Sequence, residues 1–194
     1  MKQKSLTRVL ALDLLPRRFG YVVLEGPERL LDWGVRSYRR TGKPIDALIH
    51  RRLRPLLELW RPMVLVIHAA RQVPPRKKLL RERLLKAVVA EAKNNRVCVR
   101  ILKSAKEQAE KLTKYERARE VAKRFPVLAR SLPAKRKPWQ SEDHRMGMFA
   151  AAALAMAQLN ITALSAPAIP EPLASPFDPP RDYFQPTKQV SNHL

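Results

Sequence analysis

Residues 8–27 read RVLALDLLPRRFGYVVLEGP, and this stretch decides the fold. Two apolar runs, 9–12 and 21–24, flank a short segment with Pro16 and Gly20, which is the pattern of a β-hairpin. Asp13 ends the first run. Because an ionised carboxylate is costly to bury, a lone acid in an apolar strand is expected to work at the strand's end. The alternative is that Asp13 only caps the turn through backbone hydrogen bonds.

Alternating strand and helix patterns continue through the chain. Apolar runs predict strands at 9–13, 21–25, 30–38, 63–67 and 97–102. Helical spacing predicts helices at 46–60, 76–95, 104–112, 114–125 and 142–159, with Pro55 kinking or splitting the first. Long connections through helices are typical of parallel strands, and short turns of antiparallel ones. The pattern therefore predicts an α/β domain with a mixed sheet.

One domain and a tail are expected from length and composition. The 194 residues suffice for one well-buried core, which we place at residues 1–160. Residues 161–194 hold seven prolines and no glycine, which favours a flexible tail. Its segment FDPPRDYFQP, residues 177–186, is a candidate docking peptide for a protein partner, and the domain would then be a scaffold.

A polyanion is the partner that the charge indicates. The chain has 39 Lys and Arg against 17 acids, a net charge of +22, and most of the excess lies in residues 71–136. Nucleic acid is the first choice, because cations that neutralise phosphates release condensed counterions. A membrane span is not expected, since the longest apolar run, residues 146–157, falls short of the roughly 20 residues required. The single cysteine, Cys98, fits a reducing cytoplasm and is expected in the core.

The ordered pieces resemble one family. The acid-ended first strand with Asp13, the pair Gly20-Tyr21, the basic middle ILKSAKEQAEKLTKYERAREVAKRF and the closing helix SEDHRMGMFAAAALAMA are together similar to the RuvC-like Holliday junction resolvases. The resemblance covers most of residues 8–158. It implies a ribonuclease-H-like fold: a five-stranded mixed sheet with flanking helices and an antiparallel front half. It also implies a structure-selective DNA endonuclease of recombination or repair, acting on branched or single-stranded DNA, with a homodimer for symmetric cuts.

The catalytic centre implied by this family gathers carboxylates around Mg²⁺ or Mn²⁺. Asp13 matches the first ligand. His68 stands where the family has a glutamate, and Phe149 and Ala152 stand where it has acids, so the pattern has departed. Asp143 is the second candidate metal ligand, and His68 and His144 are candidate catalytic partners. The alternatives are that His68 bonds backbone or phosphate, that Asp143 belongs to a helix cap with Ser141 and Glu142, and that the protein binds without cleaving.

Two basic segments are expected to contact nucleic acid. The first follows the fourth strand and the second is the connector KRKPW, in which Trp139 could stack on an unpaired base or anchor the loop by packing. Part of the first segment is expected to be only the solvated face of a helix. The candidate residues are Arg71, Arg76, Lys77, Lys78, Arg81, Lys135, Arg136, Lys137 and Trp139.

Overall fold

The structure is a computed structural model that describes residues 7–38, 42, 44–68, 75–102, 112–137 and 139–164. The side chains of 75–77 and 161–164 are not described. Arg71, most of the predicted helix 104–112, and residues 165–194 with the docking peptide therefore lie outside the described residues. Those predictions stay predictions.

Five strands form one mixed sheet. They are β1 (Arg8–Leu15), β2 (Arg18–Glu25), β3 (Arg29–Ser37), β4 (Val64–His68) and β5 (Cys98–Leu102). Their spatial order is β3-β2-β1-β4-β5, antiparallel from β3 to β1 and parallel from β1 to β5. This confirms the five-stranded mixed sheet with an antiparallel front half.

Four helices flank the sheet. They are α1 (Ile45–Trp60), α2 (Pro75–Asn94), α3 (Lys114–Arg124) and α4 (Met146–Leu164), and a 3₁₀ helix, Pro126–Ser131, follows α3. Two apolar cores result: α1 and α2 cover one face of the sheet, while α3, the 3₁₀ helix and α4 cover the other. No helix in the described ranges has both the length and the apolar character to cross a membrane.

Two local predictions were wrong, and one of the two alternatives for Pro55 is excluded. Pro55 does not split α1, because Pro55 and Arg51 are exposed and the carbonyl that loses its amide partner can face water. The last helix begins at Met146 rather than 142 and continues to Leu164, past the predicted start of the tail. Cys98 is exposed, since it lies on the outer strand of the described sheet.

Candidate functional site

Strand alternation decides which face of the sheet receives Asp13. Along β1, Leu10, Leu12 and Leu14 enter the core under α1 and α2, while Val9 and Ala11 enter the core under α3 and α4. Because successive side chains point to opposite faces, Asp13 lies on the α4 face.

His68 reaches the same place from the neighbouring strand. In the parallel pair of β1 and β4, Leu12 lies opposite Ile67, so Asp13 and His68 follow at the same end of adjacent strands. Val66, two residues before His68, packs in the core under α4, and His68 therefore shares the face of Asp13. The sheet thus brings together two residues that are 55 positions apart.

Gly20 lets α4 approach the sheet beside Asp13, at the point where α4 has Gly147. Gly20 lies opposite Asp13 in the β1–β2 ladder, and a Cβ at Gly20 would be 2.1 Å from the carbonyl carbon of Gly147 in the first turn of α4. A Cβ at Gly147 would be 3.6 Å from Asp13 Oδ2. Backbone therefore packs on backbone here, and Asp13 is only 6% exposed. The close approach explains the glycine of the Gly20-Tyr21 pair.

Asp13 and His68 line a cavity of about 150 Å³, which we call the Asp13 cavity. Its helical wall is apolar and includes Phe149, one of the two positions where the family has an acid. The other, Ala152, is fully buried in the core. The rest of the lining consists of Lys114, Arg117, Ala118, Glu142, Met146, Ala150, Ala153 and Leu154.

The amino terminus of α3 places two cations at this cavity. Thr113 Oγ1 accepts a hydrogen bond from the Glu116 amide at 3.3 Å, and Glu116 Oε2 accepts one from the Thr113 amide at 2.7 Å. This reciprocal capping box fixes the first turn of α3 and with it Lys114 and Arg117. Its backbone hydrogen bond also lowers the pKa of Glu116. Lys114 Nζ forms an ion pair with Glu142 Oε2 at 3.0 Å.

A larger cleft of about 940 Å³, the basic cleft, shares Lys114, Glu142 and Met146 with the Asp13 cavity. The connector between the 3₁₀ helix and α4 contributes residues 133–136 and 140–145 to its lining, and the start of α3 contributes residues 113–115. Its remaining lining residues are Arg18, Thr113, Tyr115, Pro133, Ala134, Lys135, Arg136, Gln140, Ser141, Asp143, His144 and Arg145. The cleft therefore collects five Lys and Arg side chains against two acids.

Asp143 and His144 line the basic cleft and not the Asp13 cavity. Asp143 Oδ2 pairs with Arg145 Nη2 at 3.0 Å, and its Oδ1 accepts from the Arg145 amide at 2.8 Å. These hydrogen bonds hold the pKa of the Asp143 carboxyl below its ordinary value. The exposed His144 has Nδ1 3.5 Å from Asp143 Oδ1. Asp143 thus stabilises the turn before α4, and the structure does not bring it to Asp13.

The predicted basic residues separate into groups. Lys135 and Arg136 line the basic cleft, and Lys137 and Trp139 lie on the turn that follows. Arg81 Nη2 donates to the carbonyl oxygen of His68 at 2.7 Å, which places α2 at the carboxyl end of β4. Lys78 is exposed on α2. The side chains of Arg76 and Lys77 lie outside the described residues, as does Arg71.

Sequence reasoning did not identify four residues that line the two cavities: Arg18, Lys114, Arg117 and Glu142. The spacing Thr113-x-x-Glu116 is a readable capping-box signal, and it would have placed Lys114 and Arg117 on the first turn of a helix. Nothing local marks Arg18 or Glu142, because the cavities that they line are assembled from distant segments.

A divalent ion fits these residues only in part. Asp13 and Glu142 have the carboxylate oxygens that Mg²⁺ prefers, and His68 has a nitrogen suited to Mn²⁺. Within the part of the chain that the structure describes, no three His, Cys, Asp or Glu side chains are grouped closely enough to hold an ion. Glu142 is paired with Lys114, and the helical wall is apolar. No catalytic step is therefore assigned to a metal.

Solved structures similar to this one are Holliday junction resolvases. Thermus thermophilus RuvC in complex with Holliday junction substrate has a TM-score of 0.63 at 18% identity, over 82% of this chain and 96% of that one. A second Thermus thermophilus RuvC structure has a TM-score of 0.62 at 17% identity, over 81% and 96%. The yeast mitochondrial resolvase Ydc2 has a TM-score of 0.55 at 16% identity, over 81% and 79%.

Sequence comparison adds nothing to this likeness, since no family model and no curated protein matches the chain. The likeness is one of fold, since a five-stranded mixed sheet with flanking helices matches these structures over about four fifths of this chain. The chain has the ribonuclease-H-like fold of the RuvC-type Holliday junction resolvases.

Proposed function

We propose that this protein binds branched or single-stranded DNA, with the phosphate backbone in the basic cleft and one stretch of strand leading to the Asp13 cavity. One observation carries the proposal: the two cavities adjoin, because Lys114, Glu142 and Met146 line both. A strand held along the cleft by its phosphates would therefore pass beside the cavity that contains the buried carboxylate at the end of β1.

The charges of the cleft support a polyanion. Two of its cations are paired, Lys114 with Glu142 and Arg145 with Asp143. The other three, Arg18, Lys135 and Arg136, form no ion pair among the described residues, although the charge of Lys135 contributes to the lowered pKa of Glu116. Phosphates would neutralise these three and release counterions.

Two guanidinium groups add a second argument. Arg18 Nε in the cleft and Arg117 Nε in the Asp13 cavity are buried, and among the described residues neither finds a hydrogen-bond acceptor. A buried donor without an acceptor costs about 1–3 kcal/mol. A phosphate oxygen is a strong, charge-assisted acceptor for such a group. Because each Nε is itself buried, a phosphate would approach the terminal nitrogens of the two guanidinium groups, and the positive charges of Arg18 and Arg117 favour an anion in these cavities.

Binding is tested with labelled four-way junction, fork, single strand and linear duplex of equal length, titrated at several salt concentrations. We expect tighter binding to the branched and single-stranded forms than to duplex, and a linear fall of log affinity with log salt. Affinity that does not change with salt, or that is equal for all four forms, would contradict the proposal.

A metal-dependent endonuclease is the second candidate function. The specific observation in its favour is the position of Asp13, buried near the end of the first strand in the same cavity as His68, a cavity that adjoins the basic cleft. Mg²⁺ or Mn²⁺ is the cofactor that the resemblance implies, and symmetric cutting of a junction would require a second copy of the chain. Binding without cleavage is the leading proposal, because the apolar wall and the Lys114–Glu142 pair leave the ligand set incomplete among the residues that the structure describes.

Catalysis is tested by comparing Asp13→Asn with Asp143→Asn in the presence of Mg²⁺ or Mn²⁺. If the protein cleaves, we expect Asp13→Asn to abolish cleavage while binding persists, and Asp143→Asn to retain cleavage because Asp143 belongs to the other cavity. Cleavage that survives Asp13→Asn would remove Asp13 from the chemistry. Junction binding with no cuts in either metal would establish the protein as a binding protein with a resolvase fold.

A further inference from the structure

A braced turn at the rim of the basic cleft contains Arg136, Lys137, Trp139 and Gln140. The Gln140 amide donates to the Lys137 carbonyl at 3.0 Å, and the Lys137 amide donates to Gln140 Oε1 at 3.0 Å. Arg136 Nη1 donates to the Gln140 carbonyl at 2.9 Å. Since Arg136 and Gln140 line the cleft, the turn between them starts and ends at its rim.

Trp139 on this turn is 77% exposed, the largest value among the exposed large apolar side chains of the described residues. The other two tryptophans, Trp33 and Trp60, are half-buried, and Trp60 Nε1 donates to Asp32 at 2.9 Å. An aromatic ring that anchored the turn by packing would be buried as they are. Trp139 instead presents its ring to solvent, with Lys137 Nζ 5.5 Å from the ring centroid.

We infer that Trp139 and Lys137 form a stacking platform for an unpaired base. A ring face next to an ammonium suits a nucleotide, because the base stacks on the indole and the adjoining phosphate approaches the cation. Arg136 supplies a second cation where the turn meets the cleft. This inference rests on the proposed function and adds to it the structural basis of preference for DNA with unpaired bases.

The platform explains selectivity that the cleft alone cannot provide. Arg18, Lys135 and Arg136 would bind the phosphates of any DNA, since phosphate contacts are independent of base pairing. In duplex DNA the base faces are covered by their neighbours, whereas a single strand or a branch point exposes them. Stacking on one aromatic ring changes affinity by about 5- to 100-fold.

The test separates bases from phosphates in the full-length protein. Binding is measured for an oligothymidine and for an abasic oligomer of the same length and charge, with wild type, Trp139→Ala and Trp139→Phe. We expect Trp139→Ala to lower oligothymidine affinity by about 5- to 100-fold, with abasic affinity unchanged and Trp139→Phe retaining most of it. Leu59→Ala is the control, because Leu59 is 67% exposed on α1 and should change neither affinity.

Tryptophan emission gives an independent reading. Oligothymidine should quench the emission of the wild type more than the abasic oligomer does, and this difference should vanish in Trp139→Phe, which keeps Trp33 and Trp60. Equal binding of the two oligomers by wild type and Trp139→Ala would overturn the platform and leave the basic cleft in place. Loss of both affinities in Trp139→Ala would make Trp139 a structural residue of the turn, or a docking point for protein, and would equally overturn the inference. Failure of the wild type to bind either oligomer would contradict the proposed function itself.

Discussion

The Asp13 cavity and the basic cleft adjoin but are built in different ways. The cavity is assembled mainly from β1, β4, α3 and α4, and backbone packing between Gly20 and Gly147 lies beside its central residue, Asp13. The cleft is assembled from a connector, a turn and the start of α3, with half-exposed ion pairs such as Lys114–Glu142. The first fixes one buried carboxylate, and the second spreads positive charge over a surface.

The two regions should therefore respond to substitution in different ways. In the cavity, a change of one methyl group meets backbone, so geometry is the sensitive quantity. In the cleft, exposed side chains can move, so total charge is the sensitive quantity and individual pairs contribute little. Substitutions should therefore affect stability in the cavity and salt-dependent affinity in the cleft.

The largest effect is expected from Gly20→Ala. The added Cβ would lie 2.1 Å from the Gly147 carbonyl carbon and 2.4 Å from the Met148 amide nitrogen, so β2 and α4 must separate. Overpacking against backbone should lower the free energy of unfolding by about 3 kcal/mol or more. Urea unfolding followed by circular dichroism measures this change.

Gly147→Ala is the matched control, because it adds the same methyl group from the other side of the contact. Its nearest neighbour would be the Gly20 nitrogen at 3.4 Å, which is ordinary contact, and alanine favours the helix by up to about 1 kcal/mol. We expect a stability within about 1 kcal/mol of wild type. Equal losses in the two variants would mean that the close approach does not limit the packing of α4.

The second largest effect is expected on DNA affinity, from removing positive charge in the basic cleft. The double substitution Lys135→Ala with Arg136→Ala removes two of the three cations that lack a described acidic partner. The slope of log affinity against log salt should become shallower by about 1.4–1.8, and affinity near physiological salt should fall roughly ten- to thirty-fold. Fluorescence anisotropy with a labelled junction at four or five salt concentrations measures both quantities.

Lys123→Ala with Arg124→Ala removes the same two residue types from the last turn of α3, outside the cleft. These side chains pair with Glu120 and Glu28 on the surface. We expect the salt slope of this control to stay near that of wild type. A loss as large as that of the cleft variant would show that DNA affinity follows net charge and not the cleft.

The sequence was sufficient to predict the fold because each strand is recognisable from a short apolar run in its own segment. The apolar run that ends in Asp13 and the Gly20-Tyr21 pair predicted the hairpin, and the five strands follow one another along the chain as predicted, in a mixed sheet with an antiparallel front half. Side chains alternate between the two faces of a sheet along each strand, so sequence reasoning could also predict that Asp13 and His68 lie on the same face at neighbouring strand ends. The start of α4 could not be predicted, since Asp143 turns back to Arg145 and shifts the first helical turn to Met146.

The cleft could not be predicted because it depends on tertiary approach. Glu142 was interpreted as part of a helix cap, and it instead reaches Lys114 on a different helix. Arg18 lies at the start of β2, more than 100 positions before Lys135, and no periodic pattern relates the two. Arg18 and Lys135 line the same cleft because residues 132–145, between the 3₁₀ helix and α4, pack next to the start of β2, and the sequence has no local signal for that contact.

The smallest effect is expected at the helix that serves both regions. Thr113→Ala removes the side-chain cap of α3, which carries Lys114 and Arg117, and should lower stability by about 1 kcal/mol. For a protein of this length that corresponds to a decrease in Tm of roughly 2–4 °C. Because the cap positions cations of the cavity and the cleft together, DNA affinity should weaken slightly without a change in the salt slope.

Glu116, the other residue of the capping box, makes the stability of α3 pH-dependent. The pKa of Glu116 is lowered in the folded protein, since its carboxylate accepts from the Thr113 amide. Its contribution to stability is therefore present above the ordinary value of 4.5 and is lost as the pH falls through the lowered pKa. Glu116→Gln keeps an acceptor but cannot titrate, so its Tm should fall less than that of wild type on acidification. If the Tm of the two proteins falls equally on acidification, that loss of stability belongs to other carboxylates, such as Asp143, whose pKa is lowered by Arg145.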